Sequence, residues 1–246
     1  MIELHDFSIG FKSHALIEDV NVVFGQGCLT ALIGRNGAGK STLLRAIAGL
    51  GKNFSGSICI DGKNVSDISY KEIATSLAFV TTERIRIPNL KCRDIVGMGR
   101  APYTDWIGHL REEDKGIVEC SLRQCGMSDF AERTMDSMSD GECQRIMIAR
   151  ALAQDTPNIL LDEPTSFLDL PSRYQLVELL SELAHCQNKT IIFSTHELDI
   201  ALSSCDNVAL ISDRKIYDMS AADMAASGLI ESKFDISLNK RVIISN

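Results

Sequence analysis

The period of apolar and polar positions changes along this chain and divides it into three regions. From residue 1 to about 80, apolar runs of strand length alternate with turn signals. The runs are Ile2-Glu3-Leu4, Val20-Asn21-Val22-Val23-Phe24, Leu29-Thr30-Ala31-Leu32-Ile33 and Gly56-Ser57-Ile58-Cys59-Ile60, the last closed by Asp61-Gly62. Residues 91–155 hold no β-rich run and show helical spacing instead, as in Ile117, Cys120, Ser121 and Gln124 around Val118 and Leu122. From 158 to 212 the two periods alternate. Ile159-Leu160-Leu161 reads as a strand, and Pro171 to Cys186 as a helix with Pro171 in its first turn and Leu176, Leu179, Leu180 and Leu183 on one face. Thr190-Ile191-Ile192-Phe193 and Val208-Ala209-Leu210-Ile211 read as further strands. This alternation predicts an α/β fold, a parallel sheet covered by helices, with the middle region as a helical insertion. The pattern weakens beyond residue 212.

Gly34-Arg35-Asn36-Gly37-Ala38-Gly39-Lys40-Ser41 lies between the Leu29–Ile33 strand and a helical run beginning at Thr42. Strand, glycine loop and helix in that order make a phosphate cradle. The glycines let backbone N–H groups converge on anionic oxygens, Lys40 reaches the outer phosphates, and the Ser41 hydroxyl serves a Mg²⁺ ion. Such a loop requires carboxylates from a second strand. Asp162 and Glu163 emerge from Asn158-Ile159-Leu160-Leu161 at the carboxyl end, where open parallel sheets hold ligands. Asp162 is expected on Mg²⁺, and Glu163 on the attacking water. His196 ends the 191–195 strand and is expected at the same edge, within reach of Glu163 and the γ-phosphate. Ser139 and Glu142 have capping-box spacing, and the helix they begin doubles as an anion site.

Composition narrows the partners. The 246 residues carry a formal net charge of −8, which argues against a surface that coats nucleic acid. No N-terminal export signal and no apolar run long enough to span a bilayer is read in the sequence, so any membrane role needs another subunit to supply the spans. Eight cysteines without a Cys-x-x-Cys pair read as buried, reduced thiols, and a metal site from Cys120 and Cys125 lacks a second ligand pair.

The ordered motifs over residues 1–212 resemble the ATP-binding-cassette ATPases. Gly34–Ser41, with Thr42 behind it, looks like the Walker A loop, and the run to Asp162-Glu163 like Walker B. Met138-Ser139-Asp140-Gly141-Glu142 resembles the signature sequence, Ser166-Phe167-Leu168-Asp169 the D-loop, and His196 the switch histidine. Phe11 stands where the family has an aromatic that stacks on adenine. The resemblance implies a P-loop NTPase (RecA-like) parallel sheet with an N-terminal antiparallel β subdomain and an inserted α-helical subdomain. All of 1–246 would be one ATPase domain: 1–83 and 156–212 the nucleotide-binding core, 84–155 the helical subdomain, and 213–246 a C-terminal extension. It also implies ATP and Mg²⁺ as cofactors and a head-to-tail homodimer. ATP would lie between Gly34, Arg35, Asn36, Gly37, Ala38, Gly39, Lys40, Ser41 and Thr42 of one copy and Ser139, Gly141 and Asp169 of the other.

A narrower resemblance lies in Arg93-Asp94-Ile95-Val96 and Gly99-Arg100-Ala101-Pro102-Tyr103, followed by Trp106 and Gly108. This looks like the ATPase subunits of importers for iron chelates, haem and cobalamin. It implies a polytopic permease as a separate chain, a periplasmic or lipoprotein binding protein reached through it, no nucleic acid, and a cytoplasmic position at the inner face of the membrane. A soluble assembly ATPase and a weakly hydrolysing regulator are the alternatives. Two residues depart from the family. Thr82 replaces a glutamine that reaches Mg²⁺ and the water, which leaves Ser41, Asp162 and the shorter Thr82 on the metal side, with Glu83 as a substitute. Asp140 replaces a signature glycine and Glu142 a glutamine. A carboxylate at a helix N-terminus competes there with the γ-phosphate. Weaker ATP-driven dimer closure is therefore expected, with Arg145 offsetting part of it.

Overall fold

The computed structural model describes residues 1–11, 14–51, 53–83, 88–105 and 108–236. In chain order the elements begin with β1 (Ile2–Phe11), β2 (His14–Phe24), β3 (Leu29–Gly34), α1 (Lys40–Ile47), β4 (Phe54–Ile60), β5 (Lys63–Asn64), α2 (Tyr70–Ser76) and β6 (Leu77–Val80). There follow α3 (Cys92–Gly97), a 3₁₀ turn at Met98–Tyr103, α4 (Glu112–Gln124), α5 (Asp140–Ala153), β7 (Asn158–Leu161), α6 (Leu170–Gln187) and β8 (Thr190–Ser194). The chain then forms α7 (Leu198–Ser204), β9 (Asn207–Ser212), β10 (Lys215–Ser220), α8 (Ala221–Ala226) and α9 (Leu229–Phe234).

Two sheets result. One has the order β2-β1-β4-β5 and is antiparallel; the other runs β10-β9-β3-β8-β7-β6. In the second sheet β9, β3, β8, β7 and β6 are parallel, and β10 adds an antiparallel edge. Successive side chains of a strand point to opposite faces, so a strand apolar at every position must be covered on both. That is observed here. Leu29, Ala31, Ile33, Ile159, Leu161, Ile191, Phe193, Val208 and Leu210 pack with the helical lobe and the C-terminal helices. Leu32, Leu160, Ile192, Ala209 and Ile211 pack against α1 and the antiparallel sheet.

Strand order then fixes what meets at the carboxyl edge. β7 lies between β8 and β6, with Leu161 opposite Phe193 on one side and Val80 on the other. Asp162 therefore leaves the sheet flanked by the ends of both neighbours. The helical lobe is tied together from within. Gly99 approaches the α5 backbone so closely that an added Cβ would lie 2.2 Å from the Arg150 carbonyl oxygen. Next to it, buried Arg100 donates to Asp114 at 2.9 Å and to the Ala153 carbonyl at 2.9 Å, and its guanidinium lies 4.1 Å from the centre of the Tyr103 ring. Asp114 also accepts from the Arg111 N–H, and the guanidinium holds its carboxyl below the ordinary carboxylate range.

The expectation of buried cysteines needs correction. All eight thiols are free, but only Cys92 and Cys125 are buried, and Cys186 is exposed. Of the partly exposed thiols, Cys143 and Cys205 pack against the core layer shared by the helical lobe and the C-terminal helices. Trp106 lies outside the described residues, as do 237–246 of the C-terminal extension.

Candidate functional site

A glycine loop opens the site. Gly37 and Gly39 have φ of 78° and 106°, values that a side chain rarely tolerates. Gly34 runs so close to β9 that a Cβ would meet the Ile211 carbonyl oxygen at 2.8 Å. The loop turns through an Ala38 N–H to Arg35 carbonyl bond of 3.1 Å and enters α1, whose N-cap is Gly39, with no side chain satisfying the first turn. Nothing lies within 4 Å of a Cβ built on Gly37. The free N–H groups of a helix start and open space in front of them make an anion cradle. Lys40 is buried and folds back so that its ammonium donates to the Gly34 carbonyl at 2.9 Å. Desolvation lowers its pKa, while the charges of Glu163 and Asp162 oppose that shift.

Asp162 is the hub. Only 1% exposed, it accepts from Ser41 Oγ at 3.0 Å, Thr82 Oγ1 at 3.0 Å and Ser194 Oγ at 2.7 Å. Those hydroxyls come from α1, the end of β6 and the end of β8, the neighbours that strand order dictates. The donor set is all oxygen, from one carboxylate and hydroxyls. Such hard donors fit Mg²⁺, and neither a thiol nor an imidazole among them would favour a softer ion.

Glu163 has φ of 48°, a left-handed value that is uncommon for a residue with a side chain. The turn is held because its N–H donates to Ser194 Oγ at 2.8 Å and Ser166 Oγ donates to its carbonyl at 2.8 Å. The carboxylate reaches His196 Nε2 at 2.5 Å. The two carboxylates of one strand end thus take different roles: Asp162 points down among hydroxyls, and Glu163 points out to the imidazole.

Ser139 caps α5 in a complete capping box, but the partner is more demanding than expected. Glu142 Oε2 accepts both the Ser139 N–H at 2.7 Å and its hydroxyl at 2.8 Å. These bonds hold the Glu142 carboxyl below its ordinary range and keep it charged at the helix start. Gly141 faces the segment after β7, where a Cβ would sit 3.2 Å from the Phe167 carbonyl oxygen. Asp169 caps α6 by accepting the Ser172 N–H at 3.1 Å.

Some expectations are not met. Glu83 does not turn to the metal side; its carboxylate pairs with Arg45 at 2.7 Å. Arg145 donates to the Cys125 carbonyl at 3.4 Å and to Gln175 at 3.3 Å. Arg35 and Asn36 are exposed, and Arg35 pairs with Asp235 at 2.6 Å. Phe11 ends β1 opposite His14, and its side chain lies outside the described residues. Sequence reasoning missed Ser194, which ties the Glu163 backbone to the Asp162 carboxylate. Its signal was a hydroxyl closing an otherwise apolar strand two residues before His196.

Comparison with known proteins finds related sequences and folds. Residues 17–166 match the family model described as ABC transporter. The ABC transporter ATP-binding protein MJ0873 of Methanocaldococcus jannaschii is 41% identical over 216 residues, 88% of this chain and 74% of its own. The iron(3+)-hydroxamate import ATP-binding protein FhuC of Bacillus subtilis is 33% identical over 236 residues, 96% of this chain and 88% of its own. Among solved structures, the ATP-binding cassette MJ0796, dimeric in a post-hydrolysis state with ADP and Pi, superposes with a TM-score of 0.80 at 25% identity, covering 90% of this chain and 99% of its own.

Proposed function

The chain belongs to the ABC transporter family, and on that premise we propose that it is the ATP-hydrolysing subunit of an importer for a siderophore-type iron chelate, carried through a separate permease. The observation that carries the catalytic part is the divided strand end. Asp162 gathers hydroxyls from three elements, while Glu163, one residue on, is bonded to His196.

The loop amides of Gly37–Ser41 and the α1 N-terminus receive the phosphates, and Lys40 exchanges its Gly34 carbonyl for phosphate oxygens. Ser41 and Asp162, with Thr82 beside them, would hold Mg²⁺, which when bound neutralises phosphate charge during transfer. Glu163 orients the attacking water and accepts its proton, and His196 fixes the carboxylate's direction. Ser139, Gly141 and Asp169 meet the nucleotide of a second copy; the dimeric cassette with ADP and Pi supports a homodimer.

The permease is proposed to seat in a cleft of about 420 Å³ between the core and the helical lobe. Tyr70, Thr81, Met98, Pro102 and Met147 line it. Tyr70 and Met98 are unusually exposed for their size, as apolar side chains at a protein contact are. Thr81 adjoins Thr82, so the cleft floor is one residue from the Asp162 hub. No helix among the described residues is long and apolar enough to cross a membrane, which fits a subunit that relies on a permease and works at the inner membrane face. A periplasmic or lipoprotein binding protein would deliver the chelate from the other side.

Affinity capture of the chain from detergent-solubilised native membranes tests this. A stoichiometric polytopic protein, with ATP turnover stimulated by an iron chelate, is expected. Capture of soluble proteins alone, with turnover indifferent to chelates, would overturn the importer reading in favour of an assembly ATPase.

A further inference from the structure

Glu3, His5 and Cys59 stand together on the outer face of the antiparallel sheet, away from the phosphate loop. Register explains the meeting. Glu3 is directly opposite Cys59 across the β1–β4 ladder, and His5 is opposite Ser57, so Glu3 and His5 share a face two residues apart and Cys59 lies diagonal to His5. Ile2, Leu4, Ile58 and Ile60 point the other way into the core, which prevents these strands from slipping register. One ligand atom from each of the three residues lies within 4.8 Å of the others.

We propose that Glu3, His5 and Cys59 form a binding site for a single divalent cation of the zinc class, separate from the nucleotide site. A thiolate, an imidazole nitrogen and a carboxylate oxygen are the donor types that zinc takes, and three protein ligands leave the fourth tetrahedral position to water. His5 Nε2 is already 3.1 Å from Glu3 Oε2. Two ligands bonded at about 2.0–2.1 Å with a tetrahedral angle lie about 3.3 Å apart, so this pair needs almost no rearrangement. The thiol closes the site by a small rotation toward about 3.6 Å from the other two. Glu3 and His5 side chains are 23% and 48% exposed, so an ion can enter from solvent. The Cys59 thiol loses its proton on binding, Cys–SH + M²⁺ giving Cys–S–M⁺ + H⁺, with no change in oxidation state. Binding joins β1 to β4 and stabilises the sheet whose far end carries Phe11.

Cobalt(II) titration of the full reduced chain, read by thiolate-to-metal charge transfer and d–d absorption, tests the proposal. One equivalent is expected to give tetrahedral bands that zinc displaces, with a matching rise in Tm under zinc. Cys59→Ser should remove the charge-transfer band, and His5→Ala should weaken binding at least ~10-fold. Cys186→Ser, which removes the exposed thiol, should change neither. Bands that persist in Cys59→Ser, bands that vanish with Cys186→Ser, or their absence from the wild-type chain would each overturn it. Circular dichroism of Cys59→Ser checks that a lost band reflects a lost ligand rather than an unfolded chain.

Discussion

Single side chains decide the chemistry because each is fixed by more than one bond. Glu163 is held in its left-handed turn by Ser194 and Ser166 and directed by His196. Replacing its carboxylate by an amide keeps the size and removes the proposed base. Glu163→Gln is predicted to bind ATP with unchanged affinity and to lose turnover by ~10²-fold or more, measured by nucleotide binding and phosphate release. Unchanged turnover would remove Glu163 from that role. A second residue-scale prediction concerns the buried Arg100–Asp114 pair. Asp114→Ala leaves an uncompensated guanidinium and should cost about 3–5 kcal/mol in urea unfolding. The pH sign follows from the depressed Asp114 pKa. Its contribution is present in full above the unfolded carboxylate value near ~3.9 and is lost as pH falls through the lower folded value. Wild-type stability should therefore fall more steeply than that of the variant below about pH 4.

At the scale of elements, the start of α5 is predicted to set how readily two copies close. In the native chain the Ser139 hydroxyl is taken by the charged Glu142, and Asp140 adds a second carboxylate in the first turn. Both oppose an incoming γ-phosphate at the positive end of the helix. Asp140→Gly and Glu142→Gln are each predicted to tighten ATP-dependent dimerisation several-fold in the Glu163→Gln background, read by sedimentation or size-exclusion chromatography. An unchanged or weaker dimer would show that these carboxylates do not limit closure. Elements also show where pattern reading is accurate. The apolar strands 29–33, 159–161, 190–193 and 208–211 and the helix 171–186 each reappear within a residue or two of the predicted ends. β1 and β2 are longer than their apolar runs because exposed polar residues continue the antiparallel ladder on one open face. The 3₁₀ turn carrying Gly99 and Arg100 was legible only as a motif, since its reason is a contact with α5 some fifty residues away.

For the molecule as a whole, the cleft proposed for the permease lies between core and lobe, close to the Asp162 hub. The cleft beside Met98 and Tyr70 opens next to Thr82, whose hydroxyl bonds Asp162. A charged residue there should disrupt apolar docking without touching the hub. Met98→Asp is predicted to lose permease co-purification while its thermal unfolding matches wild type. Retained co-purification would move the contact elsewhere on the surface. On the proposed docking, the short hydroxyl path from cleft to hub would couple permease position to Asp162 through the Thr81-Thr82 turn.

The sequence by itself determined the alternation of strands and helices, the glycine loop, the carboxylate pair and the caps, because each depends on local periods or on residues a few positions apart. It also carried the family resemblance, since motif order is a property of the linear chain. Only the tertiary structure decided which groups answer one another. That Thr82 reaches Asp162, that Glu83 pairs with Arg45 and Arg145 bonds the Cys125 carbonyl, that Ser194 joins the site, and that Glu3, His5 and Cys59 share a face all follow from strand order and register. Those depend on packing both faces of a buried sheet at once, a condition that no local window of sequence contains.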